Sequence, residues 1–163
     1  MKKILVSACL LGQTVRYDAK HLAVENTLLH QWIQQQRIIG FCPEVASGLP
    51  VPRTPAEISA GDGHQVLAGR ASVIDRDGRN VTQYFIDGAN MALALCQQHR
   101  IELAILAQRS PSCGDSHIYN GAFNRTLIEG AGVTAALLQQ HGIRVFNQSA
   151  LQQASVYLAG LEK

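Results

Sequence analysis

Charge is scarce in this chain, and so are aromatic rings. Only 16% of its 163 residues are Asp, Glu, Lys or Arg, and 6% are Phe, Trp or Tyr. The formal net charge of +2 offers no basic stripe for a long nucleic-acid duplex, so we expect no stable nucleic-acid partner and leave room for a nucleobase-sized ligand. No apolar run approaches the length of a membrane span. The Lys2-Lys3 start followed by Ile4-Leu5-Val6 resembles a secretory leader only superficially, because Ser7 cuts the run and Leu10-Leu11-Gly12 leads into polar sequence. We therefore expect a cytoplasmic protein. Local cysteine pairs of the Cys-x-x-Cys kind are missing, which argues against a zinc knuckle. No glycine-rich loop follows a dinucleotide or P-loop pattern. No nucleophile elbow points to a serine hydrolase. Repeats and low-complexity segments are absent as well.

What is present is a core and an alternation. Hydrophobic residues make up 47% of the chain, enough for one domain over residues 1–163 that needs no disulfide framework. Apolar runs at residues 2–8, 38–42, 101–106 and 143–146 read as buried strands. Between them, helical spacing predicts helices from about His21 to Gln36, from Thr82 to about His99, from about Gly132 to His141 and over Ala150 to Ala159. Thr82 and Ser149 are expected to cap their helices. Trp32 falls on an apolar helix face and reads as core. Strands alternating with helices predict an α/β fold with a parallel sheet and helices on both faces. Residues 65–75 with the Asp77-Gly78 turn predict a small β-hairpin, with Val66-Leu67 in one arm. Pro43 to Glu57 holds four of the five prolines and reads as a rigid loop, in which Arg53-Thr54 could meet an anion.

Three of the four cysteines share one setting. Cys9, Cys42 and Cys113 each end an apolar strand-like run and enter a loop containing Gly or Pro. In a parallel sheet these ends share one edge, where ligands of open α/β folds bind. Three thiolates there could hold a metal ion, an iron–sulfur cluster or nothing. A 4Fe–4S cluster held by three cysteines would keep one open iron, a Lewis acid for a soft donor. Structural zinc would need a fourth ligand, for which His117 is the candidate. Cys96 lies within a helical pattern and reads as a buried structural thiol. Glu44, two residues after Cys42, is placed for proton transfer. Ser110 and Ser112 flank Pro111, where their hydroxyls could orient water or substrate.

Several segments together resemble the thiouracil desulfidase family of small iron–sulfur desulfidases. They are Ser7-Ala8-Cys9-Leu10-Leu11-Gly12, Arg16-Tyr17-Asp18, Cys42-Pro43-Glu44, Gly48-Leu49-Pro50-Val51-Pro52-Arg53, Ser110-Pro111-Ser112-Cys113-Gly114, and Ile118-Tyr119 with Gly121 and Phe123. The resemblance implies a Rossmann-like three-layer sandwich with a 4Fe–4S cluster on Cys9, Cys42 and Cys113. It implies release of hydrosulfide from a thiolated nucleobase without net redox change, with Glu44 and Ser110 catalytic and with Arg16, Tyr17, Asp18 and Ser112 at the substrate. The chain departs from the family's pattern at Ala107, where a lysine is usual, at Ser47 before Gly48, and at Asn120. Two other readings compete: sulfur transfer to another acceptor, and a non-catalytic metal-binding module.

Overall fold

The computed structural model describes residues 1–163. In chain order its elements are β1 (Ile4–Ser7), a 3₁₀ turn (Ala8–Leu11), α1 (Thr27–Gln34), β2 (Ile38–Phe41), α2 (Pro43–Ala46), β3 (Ala56–Ser59) and α3 (Gly63–Leu67). They continue as β4 (Ser72–Asp75), α4 (Thr82–His99), β5 (Leu103–Ile105), β6 (His117–Tyr119), β7 (Leu127–Glu129), α5 (Val133–Gln140), β8 (Arg144–Phe146) and α6 (Leu151–Leu161).

The four apolar runs form one parallel sheet in the order β2-β1-β5-β8. Leu5 lies opposite both Ile39 and Ala104, and Ala104 opposite Val145. β1 and β5 are buried throughout, which is why they read as continuous apolar runs without alternation. Helix α1 packs on α6, and α4 on α5, giving the two helical layers of a Rossmann-like sandwich. The chain leaves β1 toward β2 and later returns to the other side of β1 as β5. Strand order therefore reverses between β1 and β5, the switch point at which open α/β sheets take ligands.

The main core joins the sheet to Leu29, Trp32, Ala92, Ala135, Leu138 and Leu158. A smaller cluster around Ile58, Val73, Phe85 and Ile118 joins β3, β4 and β6 to α3, α4 and α5, and Leu67 and Leu93 pack against both clusters.

Several expectations change. Val66 and Leu67 are helical, because Asp62 caps α3: its Oδ1 accepts the His64 and Gln65 amides while Gln65 Oε1 accepts the Asp62 amide. The hairpin pairs β4 with β3, drawn from the end of the proline-rich segment. Helix α1 starts at Thr27, where Asn26 Oδ1 accepts the Leu28 and Leu29 amides. Residues before it run extended against the first cysteine turn, with Leu22 N–H on Cys9 O and Val24 N–H on Leu10 O. The expected caps shift by one residue: Val81 and Ala150 hold the positions assigned to Thr82 and Ser149. Thr82 Oγ1 instead accepts the Val73 amide and donates to Asn80. In a second ribbon, β6 falls on Ile118-Tyr119 of the segment 118–123, which the sequence pattern gives as a short extended or turn segment, while its partner β7 has no counterpart there.

Candidate functional site

Each of the three strand-end cysteines sits in a turn built differently. Cys9 occupies the 3₁₀ turn after β1 and is 8% exposed. Cys42 follows β2 as the residue before α2, whose first helical position is Pro43. That turn rests directly on α4, where a Cβ at Gly88 would lie 2.4 Å from the Pro43 carbonyl oxygen. Cys113 belongs to the turn after β5. Ser110 Oγ accepts the Ser112 and Cys113 amides at 3.1 Å each, and Gly114 N–H closes on Ser110 O at 2.9 Å. The same turn caps α5: Val133 N–H donates to Pro111 O, and Thr134 and Ala135 N–H to Ser112 O. Gly132 makes this docking possible, since a Cβ there would meet the Ser112 carbonyl at 2.6 Å.

The turns bring Cys9, Cys42 and Cys113 to the wall of one cavity of about 880 Å³. All three thiols are free. Burial raises the Cys9 thiol to about 11, with the charges of Cys42 and Glu44 adding to the rise and Arg16 opposing it. Burial also raises Cys42, against the pull of the Val45 amide. Cys113 is raised by burial, against the Ser7 hydroxyl, with Glu44, Cys9 and Cys42 each pushing further. The three sulfurs thus lie within electrostatic reach of one another and of Glu44. No three His, Cys, Asp or Glu side chains close around a single metal ion. Cys96 stands apart on α4: it is 1% exposed, and burial alone raises it to about 12.

Glu44 lies in the first turn of α2 and lines the same cavity. Arg53 holds it, with Nε at 3.1 Å and Nη2 at 2.8 Å, both on Oε2. This leaves Oε1 without a protein partner. Arg53 is itself fixed, because Nη1 donates to Val15 O and Pro50 O, and its backbone amide donates to Tyr17 O. The expected anion contact at Arg53 is therefore taken up by Glu44. Arg16 and Tyr17, in the loop between the first cysteine turn and α1, line the cavity with the Arg16 guanidinium carbon 5.7 Å from the Tyr17 ring centre. Ser110 lines it too. Its oxygen accepts two amides, which leaves its O–H to donate.

Two expected substrate residues are not there. Ser112 is fully buried, its Oγ 2.9 Å from Thr134 Oγ1, and its side chain serves the docking of the turn on α5. Asp18 closes a local turn by accepting the Lys20 amide and is not part of the cavity wall. His117, the candidate fourth zinc ligand, is exposed and pairs with Ser116 away from the cavity. Conversely, Ser7, Glu57, Phe123 and Arg125 line the cavity and had no site role in the sequence reading. Of these, Ser7 and Phe123 fall within resembling segments, whereas Glu57 and Arg125 carried no signal in the sequence.

The family model of 2-thiouracil desulfurase matches residues 4–150. The chain belongs to that family. All three strand-end cysteines, Glu44, Ser110, Arg16 and Tyr17 fall within the matched residues. The chain is 41% identical over 148 residues to the uncharacterized protein YbbK of Bacillus subtilis (strain 168), covering 91% of this chain and 97% of that one. It superposes on the solved structure of the 4Fe–4S-dependent thiouracil desulfidase TudS with a TM-score of 0.89 at 43% identity. That match covers 98% of this chain and 99% of the other.

Proposed function

We propose that this chain is a 4Fe–4S-dependent desulfidase of thiolated uracil, working in the cytoplasm with residues 1–163 as one unit. The observation that carries the reading is the convergence of three free thiols and a carboxylate oxygen on one cavity at the switch point of the sheet. Cys9, Cys42 and Cys113 would hold the cluster. The donor set suits it: cysteine thiolates are the ligands iron–sulfur clusters take, and all three thiols are free. When bound, a cluster with one iron free of protein ligands supplies a Lewis-acidic site for a soft sulfur donor.

The net change is a thiocarbonyl plus water going to a carbonyl plus hydrosulfide and a proton. The carbon–sulfur double bond breaks and a carbon–oxygen double bond forms, with no electron gained or lost. Within this scheme Glu44 takes a proton from water on Oε1 and returns it to the departing sulfur, while Arg53 fixes the orientation of the carboxylate by its fork on Oε2. Ser110, its oxygen already satisfied by two amides, donates its O–H to the base. Arg16 and Tyr17 contact the base from the opposite loop.

The test is anaerobic reconstitution followed by incubation with 2- and 4-thiouracil, measuring uracil and hydrosulfide. Glu44→Ala is expected to keep its iron and sulfide and lose activity by about 10²-fold or more. A loaded wild-type protein that releases no hydrosulfide from either thiobase would rule the function out.

A further inference from the structure

The ribbon of β6 and β7 supplies part of the cavity wall, yet it is too short to hold its own shape. Each strand has three residues, and an isolated two-stranded ribbon of that length has marginal stability in water. Its tip, residues 120–126, carries three left-handed backbones: Gly121 at φ 92°, Phe123 at 55° and Arg125 at 61°. Phe123 and Arg125, neither of them glycine, adopt such angles at a cost that surrounding structure must offset.

One side chain connects this tip to the rest of the fold by hydrogen bonds. Glu57 Oε1, on β3, accepts the Gly121 amide at 3.0 Å and the Phe123 amide at 3.1 Å. The tip's other hydrogen bonds are local: Asn120 N–H to Thr126 O, Ala122 N–H to Asn120 Oδ1, and Thr126 N–H to Asn124 Oδ1. Gly121 presses on β3, where a Cβ would lie 2.6 Å from Ile58 O. Held in this way, Phe123 lines the cavity with the Arg76 guanidinium carbon 5.4 Å from its ring centre. Glu57, Arg76, Tyr119 and Arg125 line the same wall.

We propose that Glu57 is a positioning residue for substrate: by accepting the Gly121 and Phe123 amides it fixes the ribbon tip so that the Phe123 ring forms an aromatic wall for the thiolated base. The proposal rests on the desulfidase reading above. Phe123 supplies the contact with the base, and Glu57 acts through it. The proton-handling groups, Glu44 and Ser110, lie on other turns, so loss of the anchor affects binding and spares the chemical step.

The experiment compares wild type, Glu57→Ala, Glu57→Gln and Phe123→Ala as cluster-loaded proteins. Two quantities are read: steady-state kcat and KM with thiouracil, and amide hydrogen exchange over residues 120–126. Glu57→Ala is expected to speed exchange at Gly121 and Phe123 and to raise KM by roughly 5- to 150-fold, the range carried by base–aromatic stacking, with kcat within twofold. Glu57→Gln keeps an acceptor oxygen in the same place and should restore both. Phe123→Ala should raise KM alike while leaving the Gly121 amide protected. Unchanged exchange in Glu57→Ala overturns the anchor whatever the activity does. A fall in kcat at constant KM, or a Glu57→Gln variant as impaired as Glu57→Ala, overturns the positioning role. A loaded wild type without turnover overturns the desulfidase reading and the substrate half of this proposal, while the exchange result still decides the anchor.

Discussion

Cys96 and Cys113 are both buried, yet their sulfurs meet different surroundings. Cys96 is enclosed by the α4 side of the core, and burial alone shifts it. Cys113 faces two other thiols, a carboxylate and the Ser7 hydroxyl. Replacing Cys113 by Ala should drop the bound iron and sulfide from about four each per chain to near zero. Cys96→Ala should keep both at the wild-type level. Anaerobic iron and sulfide analysis with a visible spectrum separates the two. Ser112 offers a second contrast at this scale. Its hydroxyl pairs with Thr134 in a fully buried site, so Ser112→Ala leaves a buried hydroxyl unpaired and should cost about 1–3 kcal/mol of stability. Urea unfolding measures this loss, and KM for the thiobase should stay unchanged because the side chain is not part of the cavity wall.

Helix α2 has only four residues, too few for stability of its own. Its place depends on packing: the Pro43 carbonyl rests against Gly88 of α4, and Arg53 clamps Glu44 from outside. A methyl group at Gly88 would meet backbone, which cannot rotate away. Gly88→Ala should therefore destabilise the fold by about 1–3 kcal/mol. It should also lower kcat, because the turn carries both Cys42 and Glu44; thermal unfolding and turnover of the loaded protein read the two effects. The same scale explains what a linear reading can find. The sheet strands and α4 announce themselves through apolar runs and helical spacing. Helix α3 reads as part of a hairpin in the linear pattern because its five residues are too few to establish a period, and the Asp62 capping box decides the matter locally. Residues 118–123 read only as a short extended or turn segment; the pairing with β7 is illegible because both strands are short and the tip is held by Glu57, some sixty residues earlier.

Across the whole molecule, the two chain ends are tied beneath the sheet. Glu162 Oε1 accepts the Lys2 amide at 2.9 Å and pairs with the nearly buried Arg37, whose Nε donates to Lys2 O at 3.0 Å. The Lys2 amide above all holds the Glu162 carboxyl below its ordinary value; burial pushes it up, and the Arg37 charge and hydrogen bond, with the terminal ammonium, outweigh that push. A carboxyl depressed in the folded state adds stability above its unfolded value and loses it as pH falls through the folded value. Glu162→Gln should therefore lower stability at neutral pH, by no more than about 1 kcal/mol because the carboxyl is exposed and screened by solvent. The gap to wild type should close as the solution is acidified below the ordinary carboxylate range. Unfolding midpoints of both proteins across that range test the sign, and a gap that widens in acid would refute it.

The sequence alone determined the parallel sheet, the three strand-end thiols and the proximity of Glu44 to Cys42. Those features depend on apolar runs, on the common edge that parallel strands share, and on a spacing of two residues along the chain. Tertiary structure alone decided which polar side chains face the cavity. Ser112 turns to Thr134 and Asp18 to its own loop, while Arg53 reaches Glu44 and Glu57 reaches the ribbon tip. A motif names the residues near a site, but the direction of each side chain follows from backbone brought against it from distant parts of the chain.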